Sequence, residues 1–398
     1  MESLLLENAI IGWEGKKIKD LFINKGVIQK ERLNNNYKKI NLNGKIVMPG
    51  FIDTHTHLEK ALTYNKVENK SGTLSEAIKN FNEFSKSMNY EDIYNRGKKV
   101  LDMAISNGTI ALRSHVTVNE IIELKAIKPL SDLKEDYKEK IDLQLVAFPG
   151  AVDKLDESKI NLLRKAIELG AEVVGGCPTL SLNYKDTIDK IFELAKEYSI
   201  LIDMHIDESE KPDANALEYL AEKNINEKMG AKVTAGHCTS LSLLNEDEVK
   251  RIINKIALSE LNIITLPSCN LFLMGREGNH PGRRGLTRVE SFIENNVNIA
   301  LASDNIRDPF RPFGNANLLE EALLATQVLQ FGTRERFIEV LKMISYNAAK
   351  IFNKNKYGLE PGDKADLIVL DAQDPVETLI NQPKVLYTIK NGEVIYQI

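Results

Sequence analysis

Eight short apolar runs, separated by longer segments of helical periodicity, do most to limit how this chain can fold. They cover residues 51–55, 110–115, 141–148, 172–177, 200–205, 232–236, 262–267 and 297–303. Runs so rich in Val, Ile and Leu read as strands buried on both faces. Between them, Ser75–Phe84, Tyr90–Asn107, Leu162–Leu169 and Lys185–Glu197 repeat apolar residues at helical spacing. Strands alternating with helices build parallel βαβ units, and eight such units predict a (β/α)8 TIM barrel over residues 50–354. An open doubly wound sheet shares the alternation, but no glycine-rich phosphate loop follows the first strand.

The two ends differ from the middle. Leu4–Leu6, Ala9–Ile11, Asp20–Ile23, Val27–Ile28 and Ile40–Val47 read as short strands with turns between them. Near the C-terminus Ala365–Leu370 is a further strand, and Val385–Ile389 with Val394–Tyr396 forms a hairpin across Lys390-Asn391-Gly392-Glu393. Residues 1–49 together with 355–398 are therefore expected to form one small β-sandwich domain beside the barrel.

Composition narrows the function classes. A net charge of −5, with Arg283-Arg284 as the only dense basic cluster, speaks against a nucleic-acid surface. No apolar stretch approaches the ~20 residues of a membrane span, and Met1–Leu6 lacks the basic region of a signal peptide. Cys177, Cys238 and Cys269 are odd in number and widely spaced, which suits a reducing cytoplasm rather than a disulfide framework. Cys238 follows His237 directly and reads as a small buried filler.

Five of the six histidines lie at the ends of predicted barrel strands. His55 and His57 form an H-x-H, and residues two apart on a strand point the same way, so both can grip one ion. Asp53 before them could orient the rings. His205 and His237 end the fifth and sixth runs, and Asp304 directly follows the eighth. Imidazoles with one carboxylate suit Zn2+ or Fe2+, whose bound water can ionise near pH ~7. Glu208, three residues beyond His205, is the best general acid/base; the competing reading is a solvated loop carboxylate beside Glu210 and Lys211. His115 is placed either against the substrate or behind the ligands, and His280 in Asn279-His280-Pro281-Gly282 reads as a loop residue.

The segment Pro49-Gly50-Phe51-Ile52-Asp53-Thr54-His55-Thr56-His57 resembles the first-strand signature of the amidohydrolase superfamily. Arg113-Ser114-His115-Val116, Leu143–Pro149, His205-Ile206-Asp207-Glu208, Ala231–His237 and Asp304–Phe310 narrow the resemblance to the cytosine-deaminase-like branch. Phe313–Asn317 and Gly358–Leu367 carry it to the C-terminal end.

The resemblance implies that His55, His57, His205 and Asp304 hold one divalent metal, Zn2+ or Fe2+. No lysine closes the fourth run, so the carboxylated-lysine bridge of two-metal relatives is not expected. Metal-bound hydroxide would attack a ring carbon of a small heterocyclic substrate, with ammonia leaving. In that reading Asp304 accepts the water proton, Glu208 passes it to a ring nitrogen, and His237 holds the water or the tetrahedral intermediate. His115, Phe148, Gly150, Asn305 and Phe310 would surround the substrate.

Two positions depart from the cytosine deaminase pattern: Gly150 replaces a glutamine that binds the pyrimidine amide edge, and Asn305 replaces a second aspartate. Phe310 keeps only the aromatic face of a pocket tryptophan. Cytosine or a cytosine-like ring is the leading substrate. Another ring such as creatinine is favoured by Gly150, and hydrolysis of an exocyclic amine substituent by Asn305. A catalytically silent metal-binding scaffold is the non-enzyme alternative, opposed by Glu208. Relatives often assemble, so a homo-oligomer is compatible with the sequence, although no interface is legible in it.

Overall fold

The computed structural model describes residues 3–13, 17–33, 36–276 and 284–398. His280 and Arg283 lie outside the described residues. All eight predicted runs contain a strand of one parallel sheet: Phe51–Thr56, Thr109–Thr117, Asp142–Phe148, Val173–Val174, Leu201–Ile206, Val233–His237, Asn262–Thr265 and Ile299–Leu301, each paired with the next. The sheet curls until its ends meet. Asp304 N–H donates to the His55 carbonyl at 2.8 Å, and Thr56 and Asp304 form a parallel bridge. This is the (β/α)8 barrel, with the C-terminal ends of its strands on one rim.

Several runs read as strands are only partly so. The fourth keeps just Val173–Val174, and the seventh gives way at Pro267 to a helix, Pro267–Leu273. Proline at a helix start needs no N–H partner and has its φ already set for the helix, so the chain turns there at little cost. The predicted helices match Leu74–Ser85, Tyr90–Ser106, Glu157–Glu168 (extended at its start) and Tyr184–Tyr198, the second and third ending one residue before the predicted Asn107 and Leu169, which are their C-caps. The first two carry asparagine or threonine caps: Thr73 accepts from Glu76 N and Asn89 from Asp92 N.

The barrel interior opposite the histidines is closed by helix Tyr346–Ile351. Its Ala348, Ala349 and Ile351 pack with Ile52, Ile110, Ile264 and Ala300. Just above this plug Arg113 and Asp203, both 0% exposed, form an ion pair at 2.7 Å. Arg113 also donates to Gln144 Oε1 and the Ile351 carbonyl.

The second sheet draws on both termini, as expected. Its order is Glu393–Gln397, Val385–Lys390, Leu367–Leu370, Ile46–Pro49, Ser3–Ile11, Ile18–Asn24 and Val27–Gln29, with Tyr37–Asn41 also paired to Ser3–Ile11. It wraps around Leu4, Leu6, Ile23, Val47, Leu367 and Ile389 as the β-sandwich. The sequence suggests two short strands at Leu4–Leu6 and Ala9–Ile11; they are one strand with a bulge where Asn8 takes φ 55°. Ile40–Val47 is instead interrupted by a turn at Asn43-Gly44, both with positive φ. Among the described residues no helix is long and apolar enough to cross a membrane.

Candidate active site

The ends of the first, fifth, sixth and eighth barrel strands converge on one buried cluster. His55, His57, His205, His237 and Asp304 are each no more than 6% exposed. His57 Nε2 lies 3.4 Å from Asp304 Oδ1 and 3.3 Å from His205 Nε2, and His55 Nε2 lies 3.7 Å from Asp304 Oδ1. Ligand-capable atoms of His55, His237 and Asp304 fall within 4.8 Å of one another, as do those of His55, His115 and His205.

Local backbone explains the convergence. His237 and Asp304 both have positive φ, 70° and 57°, turning the chain sharply at the strand ends. Non-glycine residues in this region carry strain that persists only where surrounding structure enforces it. Here Asp53 supplies part of that enforcement. It does not reach a histidine ring, contrary to the expectation from sequence, but accepts from Ser303 Oγ at 2.5 Å and Ser303 N at 3.2 Å. It thereby ties the first strand to the residue preceding Asp304. Gly236 packs tightly here, and a Cβ at this position would stand 3.3 Å from the His55 ring, pressing on it by a few tenths of an ångström.

Burial sets the charge states. It drives His55 and His205 well below the ordinary histidine range, and lowers His57 to about 4, with the Lys60 charge acting in the same direction. Neutral imidazoles are the metal-binding form. Burial alone would raise Asp304, but its hydrogen bond to His57 and the neighbouring imidazoles hold it below the ordinary carboxylate range. Burial raises Glu208.

Both ring nitrogens of His55, Nδ1 of His205, Nε2 of His237 and Oδ2 of Asp304 are buried without a hydrogen-bond partner. Buried polar atoms are normally satisfied, and ligand atoms of His55, His237 and Asp304 lie within 4.8 Å of one another, so these unpartnered nitrogens and oxygen fit a divalent cation. The donor set of imidazole nitrogen and carboxylate oxygen suits Zn2+ or Fe2+.

A pocket opens over this cluster. Glu208, Phe148, Gly150, Asn305 and Phe310 all line it with His57, His205, His237 and Asp304. Glu208 follows the fifth strand on a turn fixed by Asp207, whose carboxylate accepts from Leu217 N and Thr179 Oγ1. It brings Oε1 to 3.5 Å from His237 Nδ1. The Phe148 ring stacks on His205, centroids 4.4 Å apart and planes at 18°.

His115 sits behind the pocket wall instead. Its ring lies 4.1 Å from that of His55, and its Nε2 is 3.6 Å from Asp203 Oδ1. Asn305 lines the pocket with its amide already engaged: Nδ2 donates to Asp308 Oδ2 at 2.7 Å, and Oδ1 faces Cys269 Sγ at 3.4 Å. Cys238 is a buried filler against the backbone of its own strand.

Sequence reasoning missed Lys60. It is 6% exposed, lines the pocket, lies 3.2 Å from His57 Nδ1, and holds its ammonium 4.7 Å above the Phe310 ring. The signal was the charged pair Glu59-Lys60 immediately after the H-x-H, where a barrel strand gives way to the catalytic rim. Also missed was Asn270, on the helix after the seventh strand, whose amide lies 3.0 Å from His237 Nδ1.

A barrel with buried histidines and an aspartate gathered at its C-terminal rim, beneath a pocket lined by a half-buried glutamate, is the arrangement of a metal-dependent hydrolase. The amidohydrolase family model matches residues 147–396. N-isopropylammelide isopropyl amidohydrolase of Pseudomonas sp. (strain ADP) is 32% identical over 365 residues, covering 90% of this chain and 87% of the relative. Pterin deaminase of Rhizobium rhizogenes is 27% identical over 365 residues, covering 90% and 82%. The crystal structure of 5-methylcytosine deaminase from Klebsiella pneumoniae with 5-fluorocytosine superposes with a TM-score of 0.93 at 30% identity, covering 99% of this chain and 98% of that one. The chain belongs to the amidohydrolase family, in its cytosine-deaminase-like branch, and is a hydrolase of carbon–nitrogen bonds other than peptide bonds.

Proposed function

We propose that the chain is a hydrolytic deaminase of a small nitrogen heterocycle, a cytosine-like cyclic amidine, dependent on one divalent metal ion. The observation that carries this reading is Glu208, half-buried in the same pocket as the histidine cluster with its carboxylate 3.5 Å from His237. A proton shuttle placed there serves a reaction in which a ring nitrogen must be protonated before an amine can leave. Two of the relatives are named for deaminating rings, a pyrimidine and a pterin, which supports the same class here.

His55, His57, His205 and Asp304 would hold the ion, Zn2+ or Fe2+. When bound it supplies Lewis-acid activation, bringing the pKa of a water towards ~7. Asp304 takes the proton of the attacking water, and His237 holds the developing oxyanion at the ring carbon. Glu208, starting as the carboxylate, relays that proton to the ring nitrogen beside the carbon, and then carries the water's second proton, released as the oxo group forms, to the departing nitrogen. The carbon–nitrogen bond breaks towards the amine, which leaves as ammonia, and the ring retains the water's oxygen as an oxo group. Phe148, stacked on His205, and Phe310 supply the apolar walls for a flat ring.

Removal of an exocyclic amine substituent is a second reading, favoured by Asn305 and by the named activity of the Pseudomonas relative. Assay of the metal-loaded protein with cytosine, 5-substituted cytosines, isoguanine, creatinine and N-alkylated aminotriazines separates the two. Ammonia from an unsubstituted ring amine supports deamination, whereas alkylamine alone transfers the reading to the second. A cytoplasmic location belongs to the same proposal, in keeping with three buried free cysteines.

A further inference from the structure

Gly150 leaves a gap where the cytosine deaminase pattern has a glutamine, and another amide stands beside that gap. Asn119, two residues past the second barrel strand, lines the pocket and is 8% exposed. Its Oδ1 accepts the backbone N–H groups of Ile121 at 2.9 Å and Ile122 at 3.1 Å, which fixes the plane of the amide. Among the described residues its Nδ2 donates to no acceptor, and it lies 3.8 Å from where a Cβ on Gly150 would stand. Gly150 itself has φ 72°, so a side chain there would be strained as well as close to this amide.

The neighbouring polar groups leave this N–H distinctive. Thr117 Oγ1 donates to Glu59 Oε1 at 2.8 Å, and the Asn305 amide donates to Asp308. Lys60 and Asn119 are the buried pocket side chains outside the catalytic cluster with N–H groups to offer, and neither has an acceptor to present. A glutamine at position 150 could both donate and accept; Asn119, with its oxygen committed to two backbone donors, can only donate. A buried group of fixed hydrogen-bonding sense discriminates strongly, because the wrong ring edge leaves it unpaired.

We propose that Asn119 determines specificity: its Nδ2 donates to an oxo oxygen or unprotonated nitrogen of the ring. With Lys60 it selects oxo-rich, acidic heterocycles over rings that present an N–H at that edge. This deepens the deaminase reading and rests on it for the identity of the pocket. Binding can be measured without turnover, using barbiturate, an oxo-rich ring anion, titrated calorimetrically into the metal-loaded full-length protein.

N119D keeps an oxygen for the Ile121 and Ile122 N–H groups while removing the donor, and N119S, whose shorter hydroxyl does not reach the place of Nδ2, keeps an oxygen for them while withdrawing the donor from the ring. N119S does so without adding charge. Both should weaken barbiturate binding about tenfold or more, with metal content and melting temperature unchanged. Wild-type affinity retained in N119S, or no saturable binding of barbiturate by the wild type, would overturn the assignment. Absence of ammonia release from every ring tested would instead count against the deaminase reading, while the binding comparison still decides the role of Asn119.

Discussion

His57 Nε2 and His205 Nε2 stand 3.3 Å apart at the ends of the first and fifth barrel strands. Two neutral imidazoles meet at that distance either across one N–H···N hydrogen bond or with both lone pairs on a cation, and the Asp304 carboxylate 3.4 Å from His57 Nε2 favours the cation. His57→Ala or His205→Ala should therefore cut metal affinity on the order of 100-fold or more, since losing a mere orienting partner already costs 10–100-fold. Elemental analysis after desalting checks this. Unchanged metal content in both variants would remove these residues from the ligand set.

The same burial makes the metal-free protein sensitive to acid. His57 is lowered to about 4 from 6.5, so between those values the unfolded chain binds a proton that the folded chain refuses. Stability rises with pH wherever the unfolded state holds more protons. The contribution is complete above pH ~6.5 and is lost progressively as pH drops towards ~4. His55 and His205 are shifted in the same direction. Thermal denaturation of the metal-free protein should show a melting temperature that declines across this window, with a shallower decline in His57→Ala.

Glu208 is placed for proton transfer and, among the described residues, makes no structural hydrogen bond. Glu208→Gln is expected to lower kcat by about 10²–10⁴-fold with metal content intact. Because burial raises the carboxyl, the acid limb of the pH–rate profile should lie above the ordinary glutamate value of 4.5. A Glu208→Gln enzyme with wild-type kcat would exclude the shuttle role.

Arg113 and Asp203 form a fully buried pair beneath the site. Asp203→Ala leaves the guanidinium without its counter-charge in the barrel interior, which typically costs about 3–5 kcal/mol. A large drop in melting temperature is the expected outcome. His115, 3.6 Å from the same carboxylate, should also lose its orientation.

Much of this architecture can be read along the chain because parallel strands buried on both faces leave continuous apolar runs. The residues ending those runs, His55, His57, His205, His237 and Asp304, are the ones gathered in the structure. What escapes such reading depends on tertiary placement. Lys60 looks like one of many surface lysines until Phe148 and Phe310 are brought around it. Asn119 is an ordinary turn residue in sequence, and only the approach of Gly150 from the next strand-end loop makes its amide part of the pocket. His115 follows the same strand-end rule as the ligands, yet its side chain is turned towards Asp203, a distinction that strand periodicity alone does not make.

The most direct test of the central claim is mass analysis of product formed by the metal-loaded protein in heavy-oxygen water. Hydrolytic deamination predicts a ring in which one heavy oxygen replaces the amino nitrogen, with ammonia released in equal amount. Unaltered rings throughout the panel, or release of an alkylamine with the ring amino groups retained, would contradict it.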